Sequence, residues 1–224
     1  MPESAEGDRD PARGDALLLW PAATALVAGL ATAVYGVASM PDPPPQPAAA
    51  AASPTAVPSE AASPVPVLGF SPPVAIAVPR LGIRADVIRL GLDEDGSVAV
   101  PRPEQARLAG WYEHSPAPGQ RGATVVLGHV DSARLPGGKA VFYRLGSLRP
   151  GDRVDIRRAD GVTASFAVDR VTTVSKDRFP TEAVYGPATT PQLRLITCGG
   201  AYTAGRGYTG NVIVFGHYTG ARSG

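Results

Sequence analysis

The chain has 224 residues, with 21 basic side chains against 20 acidic ones and a single cysteine. A net charge of +1 excludes the basic excess a nucleic-acid binder uses to release phosphate counterions. One cysteine excludes an internal disulfide framework and any CxxC-type zinc site.

Residues 1–15 are polar and predicted to be disordered. Residues 16–38 then run without a charge, long enough as a helix to cross a hydrocarbon core of ~30 Å. Trp20 and Tyr35 stand near the ends of this run, where amphipathic rings favour the headgroup level. Arg9 and Arg13 precede it, and no Lys or Arg follows before Arg80. That asymmetry predicts a single-pass signal anchor in the cell membrane, with the N-terminus cytoplasmic and everything beyond it extracellular. The alternative is a signal peptide cleaved near Ala38 and Ser39, but the run exceeds an ordinary h-region. Residues 39–73 form a Pro/Ala-rich linker without periodicity. Twelve of the 24 prolines lie between positions 41 and 79. Such a stretch is expected to be extended and could span on the order of 100 Å at ~3.1 Å per residue.

The folded domain is placed at 74–219, leaving 220–224 as a tail. Short apolar or alternating runs predict strands at 74–78, 83–90, 97–100, 124–129, 153–158, 162–173, 192–197 and 211–218. Gly-rich breaks such as PGQRG, PGGK and PGD separate them. A short helix is predicted at 139–145, KAVFYRL. The pattern is mainly β, largely antiparallel, in a closed barrel or a sandwich. No Walker loop occurs, no GxGxxG follows a strand, and there are no internal repeats.

Cys198 ends the apolar run LRLITC and precedes two glycines, where a substrate could approach closely. Its competing reading is a small buried hydrophobe. His129 likewise ends an apolar run, TVVLGH, beside a glycine. A thiol of ordinary pKa ~8.5 needs a neighbouring base or cation to act at neutral pH, and His129 is the best-placed partner. Asp131 could tune that histidine, and Arg206 could stabilise a thiolate or a developing oxyanion. Arg194 competes with Arg206, although it falls within a buried stretch. His114 and His217 lie in a loop and near the chain end. Neither HxxxH nor HExxH spacing occurs, and the acidic residues are scattered, so no metal site is read and no cofactor is expected.

The order of GHVDS, FYRLGSLRPGD and the LITC run at 195–198, followed by Arg206, resembles the sortase family. The details TCGG, Tyr208 and NVIV at 211–214, with AGWYEHSPAPGQRGATVVLGHVD, most resemble the class F sortases of high-GC Gram-positive bacteria. The resemblance covers roughly residues 74–216. It implies an eight-stranded β-barrel with short helices, behind a transmembrane helix and a linker. It also implies a cysteine transpeptidase that cuts an LPxTG-like sorting signal on surface proteins, between Thr and Gly. Cys198 would form a thioester acyl-enzyme, His129 would protonate the departing amine, and Arg206 would stabilise the oxyanion and orient the peptide. Thr197 and Tyr208 would support or contact substrate. The acceptor would be an amine of a peptidoglycan precursor or a pilin lysine, with hydrolysis as a side activity. One departure is that Arg206 stands only eight residues after Cys198, closer than in better-known sortases. A cysteine hydrolase on the same fold and a membrane-anchored binding module are the alternatives. An L,D-transpeptidase is disfavoured, because Cys198 follows Thr197 rather than a His-Gly pair.

Overall fold

Period-two alternation sorts each strand's side chains onto two faces, and the chain closes around the apolar one. The computed structural model describes residues 42–47 and 65–224. The expected tail at 1–15, the anchor at 16–38 and much of the linker lie outside the described residues. The strands are β1 Pro73–Val78, β2 Ile83–Leu90, β3 Ala109–Tyr112, β4 Gly122–Leu127, β5 Arg153–Arg158, β6 Val162–Ser175, β7 Pro191–Thr203 and β8 Gly207–Ser223. They form a closed barrel in the order β1-β2-β3-β4-β7-β8-β6-β5. Closure removes the free sheet edges that would otherwise invite pairing with another chain. Two pairs, β2 with β3 and β4 with β7, are parallel; the others are antiparallel.

The barrel interior is filled by residues such as Ile76, Val126, Phe142, Phe166, Leu195 and Val214. A second apolar cluster lies on the other face of β4, β7 and β8, built on Val125, Leu127, Ile196, Ile213 and Phe215. It is covered by Val184 of the one α-helix among the described residues, α1 Thr181–Tyr185. Arg194 pins this cover. Its guanidinium donates to the carbonyls of Ala183 and Leu193 and lies 4.6 Å from the Phe215 ring centroid. Burial and the nearby Arg170 pull it down to about 10, so it stays charged at neutral pH.

The strand expected at 97–100 is absent as a strand. Only a bridge between Leu92 and Val98 forms there, and the barrel is completed by β3, whose four residues AGWY are too short for a periodic signal. The helix expected at 139–145 is replaced by turns and a 3-10 turn at Leu145–Ser147. Long-range partners take the backbone donors that a helix would use locally. Ala140 N–H donates to Val130 O, and Phe142 N–H to His129 O, while the Phe142 ring is fully buried in the barrel. β8 continues through residues 220–223, set aside as a tail, because Gly220, Ala221 and Arg222 pair with Ser165, Ala164 and Thr163. Within the stretch read as linker, residues 65–72 lie against the barrel. Leu68 N–H donates to Gly119 O, and the buried Arg158 donates to the carbonyls of Gly69 and Pro118.

Candidate active site

The parallel pairing of β4 with β7 sets the site. The register runs from Gly122 opposite Pro191 to Leu127 opposite Ile196. One step further, Gly128 N–H donates to Ile196 O at 3.1 Å, and the Thr197 hydroxyl donates to Gly128 O at 2.7 Å. His129 and Cys198 follow next, His129 in the turn just past β4 and Cys198 within β7, which runs on to Thr203. Residue 128 is glycine for a packing reason: a Cβ there would lie 2.6 Å from the Phe142 ring and 2.7 Å from Val141. A larger residue would displace either the core or the turn carrying His129.

Strand alternation puts Leu193, Leu195 and Thr197 toward the barrel interior, and Arg194, Ile196 and Cys198 on the outer face. Cys198 pairs with Asn211 on β8 and is half-buried. The apolar floor behind it is Leu127, Ile196 and Ile213, flanked by Val98, Val174 and Phe179. Burial pushes the Cys198 thiol up from its ordinary value. The Asp131 carboxylate adds to that rise, and the Lys176 ammonium opposes it. The resting sulfur is therefore a neutral thiol at neutral pH.

His129 bonds through Nε2 to the Pro101 carbonyl at 2.5 Å. A carbonyl only accepts, so this bond places a proton on Nε2 and leaves Nδ1 as the atom that can gain or lose one. Asp131 accepts a hydrogen bond from the Tyr208 hydroxyl. Burial and that carboxylate push the Tyr208 phenol above its ordinary range. Asp131 and Tyr208 thus form one linked group that faces the thiol electrostatically, rather than an orienter bonded to His129. Thr197 is buried and its hydroxyl donates to Gly128 O, which ties β7 to the turn after β4.

Arg206 is exposed at the tip of the β7–β8 hairpin, where its N–H donates to Thr203 O. It lies five positions from Asn211, the partner of Cys198, which is about 16 Å along the ribbon at ~3.3 Å per residue. The competitor Arg194 belongs to the α1 cover described above. His217 pairs in register with Gln192, toward the far end of β7 from Cys198, and binds Asp169. His114 packs edge-on against Tyr112. The Lys176 ammonium and the Pro101 carbonyl are site groups that sequence reading missed. Each comes from a segment distant in the chain, with no local motif to mark it.

The electrostatics give a direct test. Replacing Asp131 by Asn removes a negative charge near the sulfur, which lowers the thiol pKa. Iodoacetamide alkylation of Cys198 at about pH 7.5 should then quicken, by roughly threefold. Lys176→Ala should slow it. The opposite order of rates would show that these charges do not reach the sulfur.

The sortase domain model matches residues 76–219. The SrtA sortase of Actinomyces oris superposes with a TM-score of 0.52 at 21% identity, covering 74% of this chain and 89% of that one. A lid mutant of sortase A from Corynebacterium diphtheriae gives 0.51 at 19% identity, covering 67% and 72%. Sortase A of Listeria monocytogenes gives 0.51 at 16% identity, covering 67% and 90%. No curated protein matches the sequence. The fold defines a barrel of the sortase type. The chain belongs to the sortase family, whose members are cysteine transpeptidases.

Proposed function

We propose that this chain is a class F-like sortase that cleaves an LPxTG-like signal between Thr and Gly and passes the acyl group to an amine. The observation that supports this reading is the parallel register of β4 with β7, which brings the turn carrying His129 level with the stretch of β7 that carries Cys198.

In this mechanism the Cys198 thiol passes its proton to His129 and its sulfur attacks the Thr carbonyl carbon. The tetrahedral intermediate collapses as protonated His129 donates to the departing Gly nitrogen. The C–N bond breaks, leaving a thioester on Cys198 and a free amine. The acceptor amine attacks that thioester, loses a proton to His129, and expels the thiolate. Arg206 orients the peptide and donates to the oxyanion once the hairpin closes over the bound chain. Donors are surface proteins bearing the signal, and acceptors are peptidoglycan-precursor or pilin amines. Residues 16–38 anchor the enzyme in the cell membrane with the barrel outside. Released protein beginning near residue 40 would overturn that anchor.

The test is mass spectrometry of the chain incubated with an LPxTG-like peptide library, with and without triglycine. The expected result is a Cys198-linked acyl adduct that triglycine converts to a ligated product. Adduct consumed only by water would make the protein a hydrolase, and no adduct would remove the reading. In the same assay Arg206→Lys, which keeps charge but loses the planar fork, should lower kcat far more than it raises KM.

A further inference from the structure

Residues 74–224 hold 19 Lys and Arg against 13 Asp and Glu, so this part of the chain carries +6 while the whole carries +1. Several of these cations are paired: Arg80 with Asp152, Arg134 with Glu104, Arg153 and Arg222 with Asp155, and Arg158 with Asp160. Four others gather around one open cavity of about 290 Å³. Arg84 comes from β2, Arg107 from the turn before β3, and Lys139 and Arg144 from the segment between β4 and β5. All four are exposed, and none forms an ion pair among the described residues. No Asp or Glu lines the cavity. Asp131 pairs in register with Lys139, but its carboxylate takes the Tyr208 hydroxyl instead. Beneath the cations the cavity rests on the buried Leu81 and Tyr143, and the Lys139 ammonium stands 5.1 Å over the Tyr143 ring, which holds it at the wall.

We propose that this cavity binds a polyvalent phosphate, free or carried on a lipid headgroup, with Arg84, Arg107, Lys139 and Arg144 as the groups that hold it. Like charges gathered without counterions repel, and an apolar floor beneath them strengthens the repulsion. A bound anion relieves it. The cations reach the cavity from three separate segments, so one small carboxylate would satisfy only part of the set. A ligand with several anionic oxygens answers all four. Guanidinium forks match phosphate oxygens in pairs, and the lysine adds a point charge. The site uses none of Cys198, His129 or Arg206, so it stands or falls separately from the transpeptidase reading.

The test is calorimetric titration of the full chain, in neutral-detergent micelles, with inorganic pyrophosphate. Saturable binding is expected, and Arg107→Gln or Arg144→Gln should weaken it roughly tenfold each. Arg107→Lys keeps the charge and loses the fork, so it should recover part of that loss. The control is Arg89→Gln, which removes the same charge from an exposed, unpaired residue of β2 outside the cavity, and should change the affinity less than about twofold. These side chains are exposed, so the variants should melt with the parent. A second arm repeats the titration in micelles doped with cardiolipin. If the lipid displaces pyrophosphate in the parent, the source is a headgroup; if it does not, the source is a soluble phosphate. No saturable binding of either probe would overturn the proposal. So would an equal loss in Arg89→Gln and Arg107→Gln, which would reduce the effect to attraction by net charge.

Discussion

Cys198→Ala is expected to abolish acyl transfer, by about four orders of magnitude or more, while the barrel stays folded. The variant keeps Cβ and the backbone pairing with Asn211, and loses only a half-buried sulfur. Its cost in stability should stay below about 1 kcal/mol, well under that of a core truncation. Transfer assays and a melting curve on the same preparation check both halves. Residual transfer above a trace would remove Cys198 as nucleophile. A collapsed melting curve would make the sulfur a packing element instead.

His129→Gln should lower kcat by roughly 10²- to 10⁴-fold, the range for loss of a positioned proton donor. Gln can still donate to Pro101 O, so the turn that carries residue 129 should survive. It cannot hold and release a proton, so the departing Gly nitrogen would leave unprotonated. Attack requires an ionised sulfur and departure requires a protonated imidazole, so the parent profile of kcat/KM against pH should be bell-shaped. In His129→Gln only the limb set by thiol ionisation should remain, rising with pH. Burial and Asp131 push the thiol up, so that limb should lie above the ordinary thiol range. Iodoacetamide alkylation of Cys198 should persist in the variant, since the thiolate itself needs no acid. A bell that survives the substitution would assign the acid to another group.

Much of the barrel was legible locally. β2 and β5 coincide with the runs read at 83–90 and 153–158, because alternation over six or more residues has one burial solution. What failed was short or non-local. β3 spans four residues, and the helical run at 139–145 gave way because Phe142 fills the barrel and its N–H is taken by His129 O. Propensity yields to burial of a large ring.

The site divides the same way. Cys198 and His129 are each marked in the sequence by an apolar run, a glycine and a reactive side chain, and that grammar is contained in a few adjacent residues. Their register is not. It depends on the parallel pairing of β4 with β7, strands separated by more than sixty residues, and on the Thr197 to Gly128 bond that levels their ends. The Asp131–Tyr208 link, the Lys176 charge and the Pro101 carbonyl on His129 are likewise tertiary. Sequence by itself marked Cys198 and His129 as candidates and determined the barrel, because chemistry and alternation are properties of neighbouring residues. The tertiary structure alone decided which distant charges reach the sulfur, because closure of the barrel brings together segments with no local pattern in common.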